Sequence, residues 1–377
     1  MVEENNTNAE IEKAVKSQLK AVEELGKAAK EEAEKEVKVD IMDAIRLVSP
    51  GTPLGTAIDD IMRARTGALI VIWNNELAGL IEGGFKVNER FTPQKLMELC
   101  KMDGAVVLSS DLKKILYANV LLINDASIPT SETGTRHKAA ERTAKKAKTL
   151  VIAISERRNK ITLYYYDLRY VLKNTGEVMS RAIETLQILE KQREIYDELL
   201  KNLNVLEVTN LVSISDVCSI IQRMEMIMKI SDIMNRNIIE LGKEGVIVKI
   251  RMRELTKNIE KEKLLIFKDY VGKANKVKNN LSSLNFDSLL DTENLAKLLF
   301  SKQQEEQISP KGYRFLSKTS LNEAEIKALV DGFKNLDNMF NAQLEEFSKV
   351  LKEEELVKGF QKELSTLKEQ IMLGKKI

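Results

Sequence analysis

Of the 377 residues only five are proline, two are cysteine and one is histidine, and aromatic side chains make up 5%. Few prolines and few aromatics favour helices over a sandwich or barrel of short strands. Cys100 and Cys218 lie far apart in segments of different texture, which excludes a disulfide framework and a cysteine-rich zinc site. No GxxxxGK[ST], GxGxxG, HExxH or CxxC pattern occurs, so the common phosphate-loop, dinucleotide and zinc signatures are absent. A formal net charge of +2 leaves no bulk field that would mark a nucleic-acid or membrane binder. The longest apolar runs, such as Ala68 to Trp73, fall far short of the roughly 20 residues that span a bilayer. Met1 to Asn8 is polar and acidic, unlike a secretory leader, and a cytoplasmic location is expected.

What is present divides into four textures. Residues 1–38 are charged and alanine-rich, and Ile11, Val15, Val22, Leu25 and Ala29 fall at helical spacing, so one amphipathic extension is predicted. Residues 39–170 interleave helical patterns with short β-branched runs at Gly67–Trp73, Ala105–Leu108, Ile115–Val120 and Leu150–Ile154, which predicts an α/β domain with a mixed sheet. Pro93 stands in the first turn of a predicted helix running to Cys100, and Gly83-Gly84-Phe85 reads as a turn.

Strand signals stop beyond residue 170. Ile183, Leu186, Ile195, Leu199, Leu203 and Leu206 form one helical stripe, and Val217, Ile220, Ile221, Met224, Ile227 and Ile230 form a second. Ser215-Asp216 is read as the start of the second helix. Residues 171–310 are thus an all-α spine, with Met179 and the methionines from Met224 to Met252 as adaptable core filler. Residues 311–377 form a small helical C-terminal domain.

The single histidine, His137, lies in Gly134-Thr-Arg-His-Lys138, where a glycine and hydroxyls give way to a strong helix-forming run. Thr135 is read as the N-cap, with Arg136, His137 and Lys138 in the first turn. Cations at a helix N-terminus oppose the helix dipole, which is sensible where a polyphosphate binds. Solvated basic side chains and a structural histidine explain the same run about equally well. Asp103-Gly104-Ala105 precedes a predicted strand, where a carboxylate can hold a metal and glycine admits a ligand to the backbone. Alone, that pair reads first as a turn.

Asp103-Gly104-Ala105 followed by Gly134-Thr-Arg-His137 resembles the paired motif of diadenylate cyclase domains. Phe91-Thr-Pro-Gln-Lys-Leu96, Lys101-Met-Asp-Gly-Ala-Val-Val-Leu-Ser109, Ile115-Leu-Tyr-Ala-Asn119 and Ile128–His137 resemble its DNA-integrity-scanning (DisA-like) branch. Arg169–Lys173 and Asp216–Met226 resemble that family's helical linker, and the likeness spans most of residues 40–370.

The resemblance implies a nucleotidyltransferase that condenses two ATP into cyclic di-AMP with release of two pyrophosphates. Two cyclase domains would face each other in a homo-oligomer, an octamer in the family, with no membrane role. It implies Asp103, Arg136 and His137 as catalytic residues, with Asp103 also holding Mg²⁺ or Mn²⁺. ATP would be bound by Gly104, Ala105, Leu122, Gly134, Thr135, Arg136, His137, Lys138 and Ser155.

Lys138 and Ala139 stand where the family has arginine and threonine, which predicts reduced turnover. In the C-terminal segment, Gly312–Leu316 and Phe333–Leu336 resemble a helix-hairpin-helix module. Its hairpin here reads Val350-Leu-Lys-Glu-Glu-Glu355, without glycine and with three acids, so the module is degenerate and DNA binding is expected to be weak or absent. Two other functions are consistent with the sequence: a low-turnover regulator that binds ATP or cyclic di-AMP, and a DNA-structure-binding scanning protein.

Overall fold

A computed structural model of the protein describes residues 40–123, 125–271, 281, 284, 286–300, 305–351 and 354–374. The predicted extension over 1–38 lies outside the described residues. The chain forms two compact units that divide between Leu172 and Lys173.

In the first unit the helices α1 (Ile41–Val48), α2 (Pro53–Arg63) and α3 (Pro93–Leu99) each begin where a side chain caps them. Asp40 accepts from the Met42 N–H, Thr52 from Gly55 and Thr92 from Lys95, with Pro53 and Pro93 in the first helical positions. Eight strands form one mixed sheet: β1 (Ala68–Ile72), β2 (Ile81–Glu82), β3 (Phe85–Arg90), β4 (Ala105–Leu108), β5 (Lys114–Leu122), β6 (Leu150–Ser155), β7 (Lys160–Tyr165) and β8 (Leu168–Val171). Their order is β2-β5-β4-β1-β6-β7-β8, with β3 also paired to β5. Only β1 and β4 run parallel, Val71 opposite Val107.

These two central strands are buried along their whole length, which is why they read as continuous apolar runs. On one face Val71, Val107 and Ala153 pack against α4 (Thr135–Ala147) through Ala140, Ala144 and Ala147. Small alanines let that helix lie close to the sheet. Ile70, Val106 and Ile152 are buried on the opposite face.

The second unit is helical. α5 (Thr175–Thr209, 35 residues) pairs with α6 (Ile214–Leu241, 28 residues). The second stripe is buried throughout, from Val217 to Ile230. The first is less uniform, because Ile183 faces outward at 45% exposure. The start of α6 also lies two residues before the predicted one. Ser213 is the cap, and Asp216 closes a capping box on it, so Ser215 is already helical. Met224, Met234 and Met252 are buried as expected of core filler.

α7 (Val246–Thr256) and α8 (Ile259–Ile266) follow, and α8 continues into a π turn at Phe267–Val271. Next come α9 (Phe286–Leu290), α10 (Thr292–Phe300), α11 (Tyr313–Leu316) and α12 (Glu323–Phe333). α13 (Leu336–Asn341), α14 (Leu344–Val350) and α15 (Glu354–Met372) complete the unit.

A buried ion pair ties α5 to α11: the Arg314 guanidinium donates to both carboxylate oxygens of Glu207, which also accepts from the Tyr270 hydroxyl at 2.7 Å. Removing one partner would strand a buried charge, at a cost of about 3–5 kcal/mol.

Candidate functional site

A bulge in β5 shapes the site. Asn119 adopts a left-handed φ of 55°, and the pairing of β5 with β4 slips there. The displaced backbone crowds both neighbours. A Cβ on Gly104 would lie 2.8 Å from the Val120 carbonyl oxygen, and one on Gly84 would lie 2.6 Å from that of Ala118. Both glycines have positive φ, 84° and 72°, so space and conformation each require them. The turn after Asp103 is therefore fixed by the strand it leans on.

α4 begins without a side-chain cap. Gly134 occupies the cap position, and Thr135, expected as the N-cap, is the first helical residue. The hydroxyl of Thr135 is thus free of the capping role, and the leading backbone N–H groups carry no side-chain acceptor. No acid occupies the first turn to complement the dipole.

The segment entering this helix is fastened along its length. Arg142 donates to the Ile128 carbonyl at 3.0 Å and Lys145 to that of Pro129 at 3.2 Å. Thr130 donates to Glu141, which is also paired with Lys145 at 2.7 Å. Glu132 accepts from Tyr164 on β7 at 2.8 Å and from Arg169 on β8 at 2.6 Å. Burial alone would raise the Glu132 pKa, but these donors and the Arg169 charge outweigh it and hold the carboxyl below its usual range.

The bulge and the helix start open on one cleft of about 480 Å³. It is lined by Gly104, Leu122, Gly134, Thr135, Arg136, His137 and Ser155, seven of the residues expected from the sequence. Three others do not line it. Ala105 is fully buried in β4, Lys138 is half-buried on α4, and Asp103 is exposed beside Gly104.

The cleft also takes in Leu121, Glu156 and Arg157, which were not expected as site residues. Leu121, 62% exposed, presents an apolar face, while Glu156 and Arg157 come from the turn between β6 and β7. Alternation along β5 marks Leu121 as outward-facing, but nothing marks the turn residues.

Arg136 has a second engagement. Its Nη1 donates to the Ile154 carbonyl at 3.4 Å and lies against Gly67, where a Cβ would stand 2.1 Å away. Burial pushes the nearby Cys100 thiol up to about 12, partly opposed by the Arg136 charge. His137 meets the Tyr164 ring edge-on, with centroids 6.3 Å apart. Burial lowers its pKa; Glu132 opposes the shift, and Arg136, Arg158 and Arg169 add to it. The imidazole is thus neutral at neutral pH, surrounded by guanidinium groups that attract an anion.

Among the described residues no three histidine, cysteine, aspartate or glutamate side chains are arranged so that they could hold a metal ion. One exposed carboxylate, Asp103, does fit a hard cation that takes most of its oxygens from phosphates and water. No helix among the described residues is long and apolar enough to cross a membrane.

The fold and cleft define a nucleotide-binding α/β domain followed by a helical linker. Residues 55–168 match the family described as DisA bacterial checkpoint controller nucleotide-binding, and residues 172–308 match its linker region. The DNA integrity scanning protein DisA of Clostridioides difficile (strain 630) is 42% identical over 320 residues, 82% of this chain and 90% of that protein. The DisA of Clostridium beijerinckii is 39% identical over 348 residues, 90% and 98% of the two chains. A crystal structure of DacA from Staphylococcus aureus overlaps 35% of this chain and 88% of its own at 22% identity, with a TM-score of 0.29, too low to bear on the fold. The chain belongs to the DisA family of diadenylate cyclases, as its motifs predicted.

Proposed function

We propose that the cleft binds ATP and that the protein condenses two ATP into cyclic di-AMP and two pyrophosphates. The observation that carries this reading is the convergence of the uncapped, acid-free start of α4 with the Gly104 turn on a single cleft. Backbone N–H groups, the Thr135 hydroxyl, Arg136 and His137 would take the triphosphate. Gly104 would let the sugar approach the main chain, Leu121 and Leu122 would cover the base, and Ser155 and Arg157 would close the opposite rim. Lys138, half-buried in the first turn of α4 and outside the cleft lining, would add positive charge beside the bound phosphates.

Each ribose 3′-hydroxyl attacks the α-phosphorus of the opposing ATP, forming the new ester bond as the bond to pyrophosphate breaks. Holding the two nucleotides in line and neutralising their charge is most of the catalysis in such a transfer. One cleft holds one ATP, so two copies must face each other, and a homo-oligomer, an octamer on the family pattern, follows from the chemistry. Asp103 would hold Mg²⁺ or Mn²⁺, which would neutralise phosphate charge. Residues 39–170 would be the cyclase domain, 171–310 the spine and 311–377 a degenerate helix-hairpin-helix. Glu353, Glu354 and Glu355 in that hairpin's sequence disfavour DNA phosphate there.

The test is purified protein with ATP and Mn²⁺, assayed for cyclic di-AMP by chromatography. Product is expected from the native chain, and Asp103→Asn should lower its rate by at least about a hundredfold. A folded, ATP-binding protein that makes no product would overturn the reading.

One observation favours a second function, a low-turnover regulator that holds ATP or cyclic di-AMP. Ala139 lines the cleft with a buried methyl where the family carries a hydroxyl. A lost hydrogen bond to a charged group is worth roughly 1.5–3 kcal/mol, about ten- to a hundredfold in rate. Lys138→Arg combined with Ala139→Thr is expected to raise turnover by that factor; an unchanged rate rejects this account of the two residues.

A further inference from the structure

The helical unit contains a second pocket, of about 490 Å³, with no connection to the chemistry described above. Four lysines line it, and they come from three segments: Lys261 and Lys268 from α8 and the π turn that continues it, Lys311 from the approach to α11 and Lys327 from α12. Among the described residues none of the four is in an ion pair with a carboxylate. Lysines serving only to keep a surface solvated have no reason to gather from three segments on one concavity. Their mutual repulsion makes the arrangement unfavourable until an anion is present.

The pocket's base is apolar. Leu321 and Ile326 are each 8% exposed, and the Tyr313 ring lies with its centroid 5.8 Å from Lys268 Nζ. The acids that face this region are few. Glu323 lines one wall, Asp331 acts on Tyr313 from α12, and Asp269 is buried with its oxygens on the N–H groups of Gly312, Tyr313 and Arg314 at 2.6–2.8 Å. The lysines therefore outnumber the exposed acids, and the charge is set over an aromatic and aliphatic base.

We propose that this pocket binds a small phosphorylated molecule with an aromatic or apolar body. The phosphate would sit among the lysines and the body on Tyr313, Leu321 and Ile326. A volume of this size suits such a ligand. A nucleic-acid backbone would instead need a continuous basic track. Here Glu323 and Asp331 interrupt the basic surface.

Pyridoxal 5′-phosphate is a suitable probe, because it pairs a phosphate with an aromatic ring and its aldehyde forms an imine with a nearby lysine. The full-length protein would be treated with limiting probe and trapped with borohydride, and labelled lysines would be located by peptide mapping. Lys268 and Lys311 are expected to label at least about tenfold faster than the exposed Lys249 and Lys358. Phenyl phosphate should protect them better than inorganic phosphate at equal concentration. In a Lys311→Gln, Lys327→Gln protein, labelling of Lys268 should fall about fivefold or more, with the thermal transition unchanged. Equal labelling rates across exposed lysines, or undiminished Lys268 labelling in the double variant, overturn the proposal. Protection by duplex DNA but not by phenyl phosphate overturns it in favour of a polyanion surface.

Discussion

His137 is the only histidine in the sequence, so its imidazole gives a single, directly assignable resonance in proton NMR. Burial and three guanidinium groups lower its pKa against the pull of Glu132, so it titrates below the ordinary value of about 6.5. A bound triphosphate favours the imidazolium and should raise the midpoint by about one unit or more. Titration with and without ATP checks this, and a midpoint that ATP leaves unmoved would place the phosphates elsewhere. At this scale much of the site was legible. Gly104 and Gly134 to His137, singled out by the family resemblance, line one cleft, whereas residue type alone left them equally readable as a turn and a solvated basic run. The anchoring of Arg136 on Gly67 was not legible, because 69 residues separate two positions that only the sheet brings together.

Elements were legible where burial set their pattern. β1, β4 and β6 are buried on both faces and read as unbroken apolar runs. β3 has almost no such signature: Lys86-Val-Asn-Glu-Arg90 is a mostly exposed strand paired only to β5, held by backbone hydrogen bonds that leave no mark on side-chain chemistry. β2 has two residues, too few for any period.

The π turn makes stability depend on pH. Burial first, then the Glu207 charge, pushes Asp269 up to about 7, against the three backbone N–H donors that favour its ionised form. The unfolded chain releases that proton near 3.9, so between about 4 and 7 the folded state holds more protons. The resulting stability is complete at the acid end and is lost as pH rises through about 7, an effect on the order of a few kcal/mol. Thermal unfolding between pH 5.5 and 8 should show the melting temperature falling as pH rises, and Asp269→Asn should flatten that slope. A slope that the substitution leaves intact would assign it to another group.

For the whole molecule, the proposed binding of one ATP per cleft has a kinetic consequence. Cyclic di-AMP formation per mole of protein should be constant at high protein concentration and fall on dilution, as facing pairs separate. Rate assays over a thousandfold range of protein, run beside size-exclusion chromatography, test this. A specific activity independent of concentration, in a protein that is monomeric throughout, would reject the facing arrangement.

The cleft's outer rim rests on the connection between β6 and β7, where Glu156 to Asn159 turn the chain in four residues and Asn159 takes a left-handed φ of 48°. Its inner wall belongs to β5 and α4, packed into the core. A hairpin tip tolerates insertion and exchange far better than a core strand does. On the proposed function, nucleotide preference would drift by changes at this turn while the proposed phosphate site stays fixed, and an engineer seeking a different base would begin with Glu156 and Arg157.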